Sequence, residues 1–143
     1  MKKLLFFSLL IISVASQAQI KKNDLGVNTE IGHIKRGFHD IATLKMNIKD
    51  NADTTYVLEY QDMSYKQIVE YKFLFFKSAP SGLYDLFVDA FTKDKGFQES
   101  VTVDDTNVII SVMKELGTKY VYFSIGSSFV LLYNKDIDKL FGK

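Results

Sequence analysis

The residues with the clearest potential for chemistry in this chain are two histidines and an aspartate near its N-terminus, His33, His39 and Asp40. An imidazole beside a carboxylate can act as a general base, and two imidazoles with a carboxylate can bind a metal ion. The spacing His-x5-His-Asp matches no metal motif, and neighbours such as His39 and Asp40 would face opposite sides of a strand. A small hydrolase or metal-dependent enzyme using these three residues is therefore one alternative interpretation, and ordinary surface histidines are the simpler one.

Other potentially catalytic residue types occur without the pattern that their chemistry requires. No serine lies in Gly-x-Ser-x-Gly, and Gly-Ser-Ser at 126–128 is not followed by the lysine and helix of a phosphate-binding loop. The string Asp-Asp-Thr-Asn at 104–107 lacks the ligand spacing of a calcium loop. The sequence therefore indicates no catalytic, cofactor-binding or metal-binding residue. Six carboxylates that could pair for glycoside chemistry or calcium binding all lie in predicted turns, in the N-terminal arm or at helix starts: Asp24, Glu30, Asp104, Asp105, Asp136 and Asp138.

Residues 1–18 have the three parts of a signal peptide. Lys2 and Lys3 form a basic end, an apolar run follows over 4–14, and Ser16-Gln17-Ala18 places small residues at the −3 and −1 positions of a cleavage site. The apolar run is too short to span a bilayer as a helix. We therefore predict cleavage after Ala18 and export to the periplasm or the exterior.

Composition narrows the class of the mature protein. The absence of cysteine excludes disulfides, thiolate metal sites and the lipidated cysteine of a bacterial lipoprotein. Removing Lys2 and Lys3 with the leader lowers the Lys and Arg count from 18 to 16, against 17 Asp and Glu, so the net charge becomes −1. Charges of both signs are interspersed, which argues against nucleic-acid binding. No later apolar run is long enough for a transmembrane segment, so we expect a soluble mature chain.

The elements that must position any site are organised around one helix, predicted over 80–96. Its apolar side chains follow the helical spacing i, i+3, i+4, i+7, i+8, which favours a single buried face. Ser78 is the predicted N-cap and Gly96 the predicted residue after the C-terminus. The predicted buried face consists of Leu83, Leu86, Phe87, Ala90 and Phe91.

In nearly all the remaining segments, apolar and polar residues alternate with a period of two, a pattern that predicts strands. We predict strands over 41–49, 54–61, 65–76, 97–103, 108–114, 119–125 and 129–133, and a short C-terminal helix over 134–141. The predicted fold class is α+β, an antiparallel sheet of about seven strands in β3-α-β4-α order with the main helix on one face. Residues 19–40 are expected to form an irregular arm with at most a short edge strand, and 41–143 a single domain.

Two segments are apolar on both faces and raise the question of what covers them. In the strand over 65–76, one face carries Val69, Tyr71, Phe73 and Phe75, and the other carries Glu70 and Lys72. The end of this strand, at 74–76, is apolar on both faces and is expected to be covered from both sides. In the C-terminal strands, cover could come from the arm, the last helix or a curled sheet. It could also come from a protein partner, a second copy or an apolar ligand. The residues assigned to this second face are Ile109, Met113, Val121, Phe123 and Ile125.

The function that these features favour is non-catalytic. We predict an exported binding or accessory module that uses sheet surface and loops, with no cofactor. A further alternative is a structural subunit that adds an edge strand to a larger exported assembly.

Overall fold

The computed structural model describes residues 26–49 and 53–143, which form an α+β fold with two antiparallel sheets and two helices. The strands are β1 (Val27–Arg36), β2 (His39–Ile48), β3 (Thr54–Asp62), β4 (Glu70–Phe76), β5 (Gln98–Val103), β6 (Thr106–Glu115), β7 (Thr118–Ile125) and β8 (Ser128–Tyr133), and the helices are α1 (Pro80–Thr92) and α2 (Asn134–Leu140). The predicted leader, its cleavage site and most of the turn at 50–53 lie outside the described residues.

The first sheet has the order β1-β2-β3-β4, with each strand antiparallel to the next. Its first strand occupies ten residues of the segment predicted to be irregular, and it pairs along the whole of β2. The pairing shifts between Glu30 and Gly32 and again between Ile34 and Lys35. Each irregularity breaks the period of two, which explains why alternation did not reveal this strand.

The prediction of one sheet of about seven strands is wrong, because the strands divide into two sheets of four. The second sheet has the order β5-β6-β7-β8. Helix α1 separates β4 from β5, and those two strands do not pair. The sheets instead meet where the backbone N–H of Met63, just after β3, donates to the carbonyl of Phe129 in β8 at 2.8 Å. Alternation identifies strands but does not show which strands hydrogen-bond to one another.

The core lies between the inner faces of the two sheets and the two helices. In α1, Leu83, Phe87 and Ala90 are buried while Leu86 and Phe91 pack beside them, as predicted. The helix ends are different from those expected: Ala79 occupies the N-cap position without a side-chain hydrogen bond, and the last helical residue is Thr92.

Helix α2 packs against β1 and ties the two ends of the described chain together. A Cβ atom on Gly32 would lie 2.1 Å from the carbonyl oxygen of Lys139, so the two backbones are in direct contact. The predicted cap Asn134 is the first helical residue, and the helix start is instead held by Asp136, whose carboxylate accepts from the N–H of Tyr133 at 2.9 Å. Among the described residues, no helix is long and apolar enough to cross a membrane.

Candidate functional site

The predicted chemical cluster is partly assembled on the outer face of the first sheet. His33 of β1 reaches two carboxylates, with Nε2 3.2 Å from Asp40 Oδ1 and Nδ1 3.4 Å from Glu30 Oε1. The β1–β2 hairpin brings His33 and Asp40 together because the residues that follow the turn run back along β1. His39 lies exposed at the start of β2, opposite Arg36, and its side chain makes no hydrogen bond or ion pair within the described residues. The structure therefore joins two of the three residues.

The arrangement around His33 is an ion-pair network on an open surface. Lys45 and Glu59 pair across β2 and β3 at 2.7 Å, and Lys35 lies 3.6 Å from Asp40. These side chains line a shallow pocket of about 350 Å³. A general base needs one ring nitrogen directed at its substrate, whereas both nitrogens of His33 face carboxylates. Within the described ranges, no three His, Asp or Glu residues are grouped so as to hold a metal ion.

Two of the other candidate carboxylates, Asp104 and Asp138, have structural partners. Asp104 lies in a turn with φ of +49° and accepts the backbone N–H of Lys77 at 2.5 Å, an interaction that lowers the pKa of its carboxyl group. Asp138 accepts the hydroxyl of Tyr84 at 3.0 Å. These interactions connect loops and helices, and Asp24 lies outside the described residues.

The five residues predicted to share the second face of the C-terminal strands do not lie on one face of the sheet. Strand register places Ile110 opposite Phe123 and Val112 opposite Val121, so Val121 and Phe123 point into the core and are fully buried. Ile125 lies on the same face of β7 as Val121 and Phe123 and packs against the core. Of the five predicted residues, only Ile109 and Met113 face outward. The error arose because alternation assigns faces within one strand but not between strands.

The outer face of the second sheet is covered by its own aromatic side chains. Tyr120 packs edge-on against Tyr122 and Tyr133, and Tyr122 packs against Phe129, with ring centroids 4.9–6.3 Å apart. Burial, together with a hydrogen bond to Glu115, raises the pKa of Tyr120 to about 12, so its hydroxyl stays protonated at neutral pH. Shallow grooves of about 390 and 780 Å³ adjoin these rings. Edge-to-face packing of these rings thus buries much of the apolar surface on the outer face that was expected to need a cover.

The side chains that remain uncovered concentrate beside β4. The expectation that 74–76 is covered from both sides is wrong, because Phe75 is 62% exposed. Phe73, two residues earlier on the same face, is 52% exposed. Their rings stack at 6.3 Å on the outer face, while Leu74 and Phe76 point into the core. We call this exposed group the β4 patch: Tyr65, Ile68, Val69, Phe73 and Phe75.

The β4 patch adjoins the only one of the four sheet edges that is both apolar and uncovered in the described part of the chain. Helix α2 packs on β1 at Gly32, where the exposed residues that precede it in the strand are mostly polar, and β8 contacts the end of β3. Strand β5 presents exposed polar residues at its edge, namely Gln98, Glu99, Ser100 and Thr102. Within the described residues, strand β4 has one hydrogen-bonded neighbour, β3, and so presents an unpaired row of backbone groups along its other edge.

Comparison of the chain with protein-family models, with curated proteins and with solved structures gave no match. Any function must therefore be inferred from the surfaces described above. Sequence reasoning noted the shared face of Val69, Tyr71, Phe73 and Phe75 but not its exposure. Since Leu74 and Phe76 on the opposite face are also apolar, alternation alone could not show which face points inward.

Proposed function

We propose that the protein is an exported, non-catalytic binding module that attaches to another protein chain through strand β4. The observation that carries this proposal is the β4 patch on the only apolar, uncovered sheet edge among the described residues. Monomeric soluble proteins rarely leave several large apolar side chains together in water unless they form a binding surface. Export rests on the features of residues 1–18 in the sequence.

The geometry of β4 suits recognition by strand addition. A partner strand laid along β4 would pair with its free N–H and C=O groups, while alternate outward side chains, Tyr71, Phe73 and Phe75, would pack against the partner. No proline interrupts the strand. The same geometry serves the alternative of a structural subunit in a larger exported assembly, which differs only in how permanent the attachment is.

The enzymatic alternative has weaker support. It requires His33 to act on a substrate, yet both ring nitrogens already face Asp40 and Glu30. His39 lies outside the network. The ionic pairs around His33 are partly exposed surface pairs, which need no catalytic role to explain them.

A photocrosslinking experiment tests the proposal directly. A benzophenone amino acid replaces Phe75 in the chain produced in its own cell, and a matched control carries it at Phe38, which is fully exposed in the β1–β2 turn. We expect irradiation to give a discrete adduct with a protein chain from position 75 and not from position 38. Adding Phe73→Ser should reduce the yield at position 75, because half of that ring is exposed in the same patch.

Two results would contradict the proposal. One is the absence of any protein adduct from position 75. The other is an equal adduct pattern from positions 75 and 38, since this would reflect general surface collisions. None of the three substitutions, at positions 75, 38 and 73, removes a buried side chain, so circular dichroism should show an unchanged fold.

A further inference from the structure

We infer that the chain bound at β4 is a second copy of this protein, with the two β4 strands antiparallel about a two-fold axis at Tyr71. This inference rests on the proposed function and names its partner. It would join two four-stranded sheets into one continuous sheet of eight strands. The argument comes from the charges and apolar side chains that this symmetry brings together.

Symmetry decides which residues can meet. A two-fold axis perpendicular to the sheet keeps both outer faces on the same side, so outward side chains lie opposite outward side chains. With the axis at Tyr71, the half-exposed Phe73 lies opposite Val69 of the second copy, which is also half-exposed. Two such apolar contacts flank a central pair of tyrosines.

Charge selects this register over its neighbours. With the axis at Tyr71, Glu70 of each copy lies opposite Lys72 of the other, and both side chains are accessible, at 43% and 40% exposure. Because Glu70 and Lys72 also pair within one strand, the four charges alternate in sign around the axis. An axis at Glu70 or at Lys72 would place like charges directly opposite, which is destabilising. An axis at Phe73 would leave both charges opposite apolar residues of the second copy, Leu74 and Phe76.

The available area fits a reversible dimer. Each patch side chain is a little more than half exposed, so covering the patch on both copies removes roughly 1,000 Å² from water. That is at the lower end of specific interfaces, where complexes are weak and concentration-dependent. We therefore expect dimers at high protein concentration that dissociate on dilution.

Charge reversal with mixing tests the inference. Protein produced from the full sequence is examined by sedimentation velocity over a concentration series, alongside Glu70→Lys, Lys72→Glu and an equimolar mixture of the two variants. Each variant breaks the pair within its own strand, but in the mixture two lysines face two glutamates. We expect each variant alone to dimerise about tenfold more weakly than the wild type and the mixture to recover heterodimers. Glu99→Lys, the same change on the β5 edge, should leave dimerisation unchanged.

Three outcomes would overturn the second copy as partner: a wild-type protein that stays monomeric at several hundred micromolar, variants that dimerise like the wild type, or a mixture that recovers no heterodimer. These failures are distinguishable from failure of the proposed function. A monomeric protein whose position 75 crosslinks to a different chain keeps the binding role and loses only the second copy. A monomeric protein that gives no adduct would contradict both the binding role and the second copy as partner.

Discussion

At the scale of single residues, the ion pair with the greatest structural consequence joins the two ends of the described chain. Arg36, at the end of β1, donates to Asp136 Oδ2 at 2.5 Å and to the carbonyl of Leu131 at 2.9 Å, and its guanidinium lies 4.4 Å from the ring centroid of Tyr133. The carboxylate of Asp136 is almost fully buried. A buried charge that loses its partner is far costlier than an exposed pair that separates.

Replacing Arg36 with Met should therefore destabilise the fold by about 2–4 kcal/mol, because Asp136 would stay buried with the N–H of Tyr133 as its one remaining donor among the described residues. Urea unfolding followed by circular dichroism measures the change. The matched control is Lys77→Met, which removes an exposed pair with Asp53 and should cost less than about 1 kcal/mol. Equal losses for the two variants would contradict the role given to Arg36.

At the scale of elements, the contact between α2 and β1 depends on the absence of a side chain. Gly32 has no Cβ atom, and the nearest atoms to that position are backbone carbonyl oxygens of Lys139 and Leu140, at 2.1 and 2.5 Å. Backbone atoms of a packed helix cannot move aside as a flexible side chain can. Helix α2 can therefore lie on β1 only where the strand carries glycine.

Gly32→Ala should separate α2 from β1 and destabilise the protein by at least about 2 kcal/mol. Gly82→Ala is its control, because that glycine lies in α1 and no atom of the described residues is within 4 Å of its Cβ position. Alanine there should stabilise the fold by about 0.5–1 kcal/mol. Thermal unfolding should show midpoints displaced in opposite directions. A neutral Gly32→Ala would mean that α2 does not hold this position.

At the scale of the whole molecule, the two sheets are joined by polar contacts between β3 and β8. Tyr60 Oη and Ser128 Oγ are 2.7 Å apart, and the Asp62 carboxylate accepts the backbone N–H of Ser64 at 2.9 Å and that of Phe129 at 3.4 Å. Burial alone would raise the pKa of Asp62, but hydrogen bonds from the Ser64 side chain and from these two N–H groups outweigh it and lower the pKa below its ordinary 3.8. The hydrogen bonds at this junction between the sheets therefore favour the ionised form of Asp62.

The sign of the pH dependence follows from that shift. A carboxyl group whose pKa is lower in the folded state contributes stability above its unfolded pKa, and this contribution is lost as the pH falls through the folded value. We expect the free energy of unfolding to drop as the pH falls from about 5 to about 2. Asp62→Asn should be less stable at neutral pH and should show a flatter acid dependence. Part of the dependence should remain, because Asp104 also has a lowered pKa.

Urea unfolding at a series of pH values measures both effects. Asp105→Asn is a suitable control, since Asp105 is exposed in the turn between β5 and β6. The control should keep the wild-type dependence on pH. An acid dependence for Asp62→Asn as steep as that of the wild type would show that the junction does not depend on this carboxylate.

The spacing of apolar residues along the chain predicted the helices and strands of this protein better than it predicted their arrangement. The helical period of Leu83, Phe87 and Ala90 identified both the main helix and its buried face, because neighbours three and four residues apart share a helix face. The sequence allowed only a short edge strand within residues 19–40, and the full ten-residue edge strand at 27–36 was not predicted because its two register shifts interrupt alternation. The candidate site was only partly predicted: the sequence singled out His33 and Asp40, and the hairpin that pairs them excludes His39.

By itself, the sequence determined the α+β class, the positions of most strands and both helices, since these depend on residues close together in the chain. The division into two sheets, the inward faces of β4 and β7, and the exposure of Phe73 and Phe75 were decided only by tertiary structure. In both strands each face is apolar enough to be buried, so local hydrophobicity does not choose between them. The choice is made by contacts with strands and helices distant in sequence, whose pairing alternation does not encode.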